Sequence, residues 1–207
     1  MTLPTTPIVS PSGRARPLPP EERRAALIEA TLPLIAAHGT KVTTKQIAEA
    51  AGVAEGTIFR VFPDKDTLVQ AAVASMLDPL PIVAELNGID LDLPVRDRMA
   101  ALVGLLQKRL STVFNVFLAM RMQGPPPEWH DRQRSMNRDG NDAILAAVDR
   151  VLAPDRDRFR MPAAEVARVM RLLTFAGTHP LISDHNPLTT DQIVSILLDG
   201  VLDPDAN

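Results

Sequence analysis

The stretch Val42–Phe62, VTTKQIAEAAGVAEGTIFRVF, decides the fold. Thr43 and Gln46 have the spacing of a capping box, so a helix opens at Thr43 and runs to about Ala51. Gly52 supplies a positive φ at a turn without a side-chain clash. A further short helix covers Ala54 to Val61, and Pro63 ends it. Ile47, Ala51, Val53 and Ile58 form a small core between the two helices, and Ala48 lets them approach closely. Two short helices about a glycine turn make a helix-turn-helix, whose second helix enters the DNA major groove. Gly56 lets the backbone of that helix come near DNA, and Thr57 can bond a phosphate or touch a thymine methyl.

Outward from this stretch the pattern stays helical. Pro20 suits a first helical position, and Glu21 and Glu22 suit the positive end of the helix dipole. Leu27, Ile28, Thr31, Leu32, Leu34 and Ile35 continue a stripe at helical spacing, with a kink expected at Pro33 and a stop at Gly39. Asp64 caps a helix from Lys65 to about Leu86. Proline and glycine punctuation then divides the chain into Pro94–Arg109, Ser111–Gln123, Glu128–Leu152, Pro162–Gly177 and Thr190–Leu202, where one long helix across Leu110 is the alternative. Thr189 and Gln192 repeat the capping-box spacing. Period-two alternation is scarce, so the class is all-α with about nine helices. Residues 1–20, with six prolines and no period, read as a disordered arm.

Residues 21–75 resemble the DNA-binding domain of the TetR family of transcriptional repressors. The resemblance rests on His38-Gly39, on Ile47–Val53, on GTIF at Gly56–Phe59, and on Phe62-Pro63-Asp64-Lys65-Asp66-Thr67-Leu68. It implies a homodimer that places two reading helices in successive major grooves, about 34 Å apart. Thr43 or Thr44, Lys45 and Lys65 would then hold phosphates, and Ala54, Glu55, Gly56, Thr57 and Arg60 would form the reading surface. Ala54 replaces the serine that is common in the family. Phe59 replaces its tyrosine, losing a hydroxyl that commonly meets a phosphate, while the ring can still pack in the core. Glu55 sets a carboxylate where small polar or basic residues are common; it either accepts from a cytosine amino group or pairs with Lys45 or Arg60.

Residues 76–207 resemble the family's effector-binding and dimerisation domain in length and helical pattern alone. The resemblance implies a four-helix bundle between two copies through the last two helices, for which Val166, Val169, Met170, Leu173, Ile193, Ile196, Leu197 and Val201 have suitable spacing. An effector pocket would lie among Met99, Leu102, Val103, Leu106, Phe114, Phe117, Met120, Met122, Trp129 and Phe175, each of which has plain core as its alternative. Methionine and phenylalanine between 99 and 129 suit an adaptable cavity for an apolar or amphipathic small molecule.

Composition bounds the rest. The 207 residues hold no cysteine, which excludes disulfides, thiolate metal sites and cysteine nucleophiles, and no tyrosine. The formal net charge is -3, so affinity for DNA must come from a local constellation. Residues 1–75 carry eight Lys or Arg against seven Asp or Glu, and the remainder fourteen against eighteen. The N-terminal basic residues are Arg14, Arg16, Arg23, Arg24, Lys41, Lys45, Arg60 and Lys65, so binding should depend steeply on salt. The longest apolar run is Met99–Leu106, eight residues where a membrane helix needs about 20. With no basic-then-apolar leader, the expectation is a cytoplasmic protein away from membranes. His130, His179, Asp184 and His185 match no common metal-ligand spacing, no Gly-rich loop cradles a phosphate, and no serine sits in a nucleophile elbow, so neither cofactor nor enzymatic activity is expected. The competing class is a ligand- or partner-binding scaffold that keeps this fold with weak DNA affinity, motivated by Ala54, Glu55 and Phe59.

Overall fold

The computed structural model describes residues 19–121 and 130–200, with side chains for all of these except 130–139. Among the described residues there are nine α-helices and no strand. They are α1 (Pro20–His38), α2 (Thr44–Ala50), α3 (Glu55–Val61), α4 (Lys65–Met76), α5 (Leu80–Asn87), α6 (Val95–Ala119), α7 (His130–Leu152), α8 (Ala163–Thr178) and α9 (Thr190–Asp199). Short 3-10 turns cover Gly39–Lys41 and Ala153–Arg158. The expected arm 1–20 lies, up to residue 18, outside the described residues.

Several boundaries differ from those read in the sequence. The single helix expected over Lys65–Leu86 is two, α4 and α5. Pro79 and Pro81 have no N–H to donate and crowd the preceding turn, and Asp78 Oδ1 accepts the Leu80 N–H at 3.0 Å to start the new helix. The division near Leu110 does not occur. Ser111 and Thr112 stay in α6, where the Thr112 hydroxyl donates to Lys108 O one turn back, 3.1 Å. α1 continues through Pro33. Gly200, at φ +82°, ends α9 ahead of the expected Leu202.

Both capping boxes form, at Thr43–Gln46 and at Thr189–Gln192, and Asp64 accepts the Thr67 N–H at 2.7 Å. That bond holds the exposed Asp64 carboxyl below its ordinary value.

Two clusters of buried side chains account for the packing. One gathers Leu27, Ile35, Ile47, Ile58, Phe62, Leu68 and Val73 from α1–α4 and takes Val116 from α6. The other gathers Leu86, Met99, Leu102, Val103, Val148, Val151, Met170 and Ile193 from α5–α9. Each fully buried aliphatic chain contributes about 1.5–3 kcal/mol. α6 is central: it packs on α1 at one end and on α5, α7, α8 and α9 along the rest. By length and composition α6 could cross a membrane, yet its apolar residues fill both clusters.

Arginines tie the helix ends. Arg98, 3% exposed, donates to Val151 O, Leu91 O and Leu93 O and pairs with Asp155. Arg150 donates to Leu86 O and Asn87 O at the end of α5, and Arg109 donates to Leu77 O and Asp78 O just beyond α4. Most of these carbonyls lie at or just past a helix end, where acceptors outnumber backbone donors, so a fork of N–H donors suits them.

Candidate nucleic-acid interface and effector cleft

α2 and α3 are held by a small shared core. Ile47, Ala48 and Ile58 are buried, and the turn closes with the Val53 N–H donating to Ala48 O at 2.9 Å while Gly52 sits at φ +66°. The residues left outside are those the sequence reading assigns to DNA. Ala54, Glu55, Gly56 and Arg60 are exposed and Thr57 is half-buried. A Cβ placed on Gly56 would meet nothing within 4 Å, so internal packing does not require a glycine there. Ala54 offers no capping oxygen, which leaves the first-turn amides of α3 without a side-chain partner.

Phe59 requires a correction. Its ring is 54% exposed, on the same face as Gly56 and Arg60, and is not part of the core. Phe62, one turn on, is the aromatic that packs inside, with the Arg24 guanidinium 4.8 Å from its ring centre. The spacing of Ile58, Val61 and Phe62 already places Phe59 outward, which is the signal that identifies it as a surface residue.

Glu55 also finds a partner the sequence did not suggest. The Thr44 hydroxyl donates to its carboxylate across the turn at 2.5 Å, and among the described ion pairs neither Lys45 nor Arg60 reaches it. Thr43 is occupied too: its hydroxyl accepts the Gln46 N–H at 3.2 Å and donates to Gln46 Oε1 at 3.0 Å. Lys65 is half-buried and donates to Val42 O at 3.2 Å and Thr40 O at 3.4 Å, pinning the start of α4 to the segment before α2. Lys45 is exposed, in the first turn of α2.

The expected effector residues do not form one pocket. Met99, Leu102 and Val103 lie inside the larger core cluster. Phe117 and Met120 pack on the N-terminal cluster instead. Phe114 borders a small cleft of about 200 Å³ with Ser111 and Thr178, and touches His179 edge-on at 4.6 Å between ring centres. His179 in turn accepts the Leu181 N–H at Nδ1, 3.3 Å. Leu106 and Phe175 alone among these candidates line the larger cleft, about 420 Å³, between α6, α7 and α8. Met122 and Trp129 lie outside the described residues. Arg109, Asn141, Arg168, Arg171 and Leu172 also line the cleft, and the apolar pattern of the sequence gives no sign of its arginines.

The face assigned to a second copy is also revised. Val166, Met170 and Ile193 belong to the protomer's own core. Leu173, Ile196 and Leu197 are half-buried, Val169 and Leu172 of α8 are exposed, and Val201 lies outside the described residues.

Comparison with known proteins agrees with this geometry. Residues 27–72 match the family model described as bacterial regulatory proteins, tetR family. The fold is similar to that of a tetR-family transcriptional regulator from Streptomyces coelicolor, at 20% identity and a TM-score of 0.56, over 87% of this chain and 79% of that one. It is similar to the transcriptional regulator FadR from Bacillus subtilis in complex with stearoyl-CoA, at 14% identity and 0.53, over 86% and 99%. The fatty acid degradation regulator FadR from Bacillus halodurans matches at 20% identity and 0.53, over 88% and 97%. The resemblance to the TetR family read over residues 21–75 is thus borne out in the helix-turn-helix, and the fold extends over most of the chain.

Proposed function

We propose that this chain, with a TetR-family signature at its N-terminal end and that family's fold beyond it, is a homodimeric transcriptional regulator. Residues 21–75 bind DNA, and residues 76–207 dimerise and bind an effector. The observation that carries the reading is the outward face of α3. Gly56 leaves open space above the backbone, Phe59 and Arg60 flank it, and no packing demand explains the glycine. Two such faces would enter successive major grooves about 34 Å apart on a palindromic operator. An apolar or amphipathic small molecule then favours a state whose two α3 helices no longer match that spacing, so the protein acts as a repressor in the cytoplasm. The stearoyl-CoA carried by the Bacillus subtilis FadR structure supports an apolar-bodied effector for a fold of this shape.

The test is selection of bound fragments from a randomised DNA pool by the ligand-free protein, followed by a salt titration. An enriched palindrome with half-sites about one helical turn apart is the expected result. Absence of enrichment at low salt, from folded protein, overturns the reading and favours a scaffold without specific DNA binding. The carboxylate of Glu55 at the head of α3 is the observation that motivates that second reading.

A further inference from the structure

The cleft between α6, α7 and α8 joins an apolar floor, including Leu106 and Phe175, to three guanidinium groups, Arg109, Arg168 and Arg171. Its volume, about 420 Å³, suits a small molecule. Among the described residues no carboxylate lines it. Arg168 pairs with Glu165 at 3.2 Å on the surface. Arg171 donates instead to the amide oxygen of Asn141 at 3.1 Å, and Arg109 donates to the carbonyls of Asp78 and Leu77 at 2.9 and 3.1 Å. These acceptors are neutral. Among the described ion pairs neither Arg109 nor Arg171 has a carboxylate within 4.0 Å. Burial holds the Arg109 guanidinium below its ordinary value, against the more distant charges of Asp78 and Glu85. Cations with no carboxylate in direct contact, beside an apolar wall, attract an anion more strongly than cations in open water.

From this geometry we infer that the cleft takes an apolar-bodied anion, its carboxylate or phosphate head on the arginines and its body along Leu106 and Phe175. The inference rests on the effector-responsive reading and supplies the charge class which that reading leaves open. A neutral molecule of the same shape offers the guanidinium groups a hydrogen-bond acceptor without the opposite charge, and a cation is repelled.

Arg109 also gives the site a route to the DNA-binding helices. Its present acceptors lie just beyond α4, and α4 packs on α1. An anionic head competes for the same donors, adding the attraction of opposite charges to what a neutral carbonyl offers the guanidinium. Occupation therefore draws Arg109 off the end of α4, whose other end carries Lys65.

The experiment is calorimetric titration of the full chain with decanoate, decyl phosphate, decanol and decyltrimethylammonium. The expected result is that at least one anion binds about tenfold or more tighter than decanol, a difference of about 1.4 kcal/mol, while the cation does not bind. Whether decanoate or decyl phosphate binds tighter identifies the head group. Arg171→Met should weaken that preference, with Arg109 and Arg168 supplying what remains, and change decanol affinity far less. Should that variant fail to fold, rising salt on the unaltered protein serves instead, weakening the anion and sparing decanol. Decanol binding as tightly as both anions overturns the charge assignment and leaves the effector reading standing. Anion affinity indifferent to Arg171→Met and to salt overturns the placement. No binding by any of the four overturns the cleft as an effector site, while operator selection without ligand still decides the DNA reading separately.

Discussion

At the residue scale the reading face of α3 separates structural from functional demands. Gly56 sits inside a helix with open space where a Cβ would go. Alanine there should raise stability by about 0.5–1 kcal/mol. If DNA approaches the backbone at this point, the same methyl should lower operator affinity about tenfold or more. Thermal unfolding and operator titration of Gly56→Ala check both halves, and a gain in stability with unchanged DNA affinity would remove Gly56 from the interface. Thr43 and Lys45 divide differently. Thr43 has its hydroxyl committed to the capping box with Gln46, so Thr43→Ala should cost about 0.5–2 kcal/mol and leave the salt dependence of DNA binding alone. Lys45 is exposed, so Lys45→Ala should leave stability alone and reduce the slope of log affinity against log salt by about 0.9. The reverse pattern would exchange their roles. Both residues were legible in the sequence as helix-start residues. What the sequence could not say was that Thr44, next to the capping Thr43, reaches across the turn to Glu55, a choice made by three-dimensional proximity.

At the element scale the helices were legible wherever local chemistry decides. Thr43 with Gln46, Thr189 with Gln192, and Asp64 formed their caps because each needs only its own first turn. The misplacements came where two local signals compete. The division near Leu110 competed with one long helix, and burial of both flanks keeps α6 whole. Pro79 and Pro81 lay within an apolar run that masked the break between α4 and α5. The joint between α6 and the turn after α7 depends on Arg98, which pairs with Asp155 in the interior. Burial pushes the Asp155 carboxyl up, but bonds from Arg158 and Arg98, with their charges, outweigh it and hold the group below its ordinary value of 3.8. Folding therefore releases a proton from this group in acid. Its contribution is fully present above pH 3.8 and is lost as pH falls through the folded value. Asp155→Asn should lower the unfolding temperature at pH 7, because Arg98 loses its charge partner, and should narrow the further fall between pH 7 and pH 3. Thermal scans of both proteins at the two pH values test this, and an equally steep acid fall in the variant would place the acid-sensitive group elsewhere.

At the scale of the whole molecule the two clusters share α6, and this is the level at which the sequence had least to offer. Met99, Phe117 and Phe175 look alike as apolar letters, but they end in one core, the other cluster and a cleft because their neighbours come from helices distant in the chain, α1–α4 for one end of α6 and α7–α9 for the rest. The proposed dimer face has the same character. Val169 is exposed on α8 although its neighbours Val166 and Met170 are core. Val169→Glu should yield monomers by sedimentation and weaken operator binding about a hundredfold through loss of the second reading head, whereas a dimer that survives would move the interface off α8. The joint between the clusters can be probed at Gly39. Both Gly39 and Gly52 have positive φ, +58° and +66°, and an alanine at either should cost about 1–2 kcal/mol for that reason. A Cβ on Gly52 meets nothing within 4 Å, but one on Gly39 would lie 2.2 Å from the Ala119 carbonyl oxygen at the end of α6. Backbone cannot yield as a side chain can, so Gly39→Ala should cost a further 1–3 kcal/mol, roughly the penalty for overpacking. Hydrogen exchange distinguishes how that cost is met. If α6 and the N-terminal helices form one mechanical unit, Gly39→Ala accelerates exchange at the last turn of α6 as well as in α1, while Gly52→Ala leaves α6 protected. Equal costs for the two variants, with α6 undisturbed in both, would mean that the close approach is slack and that movement at the cleft must reach α3 through Arg109 and α4 alone.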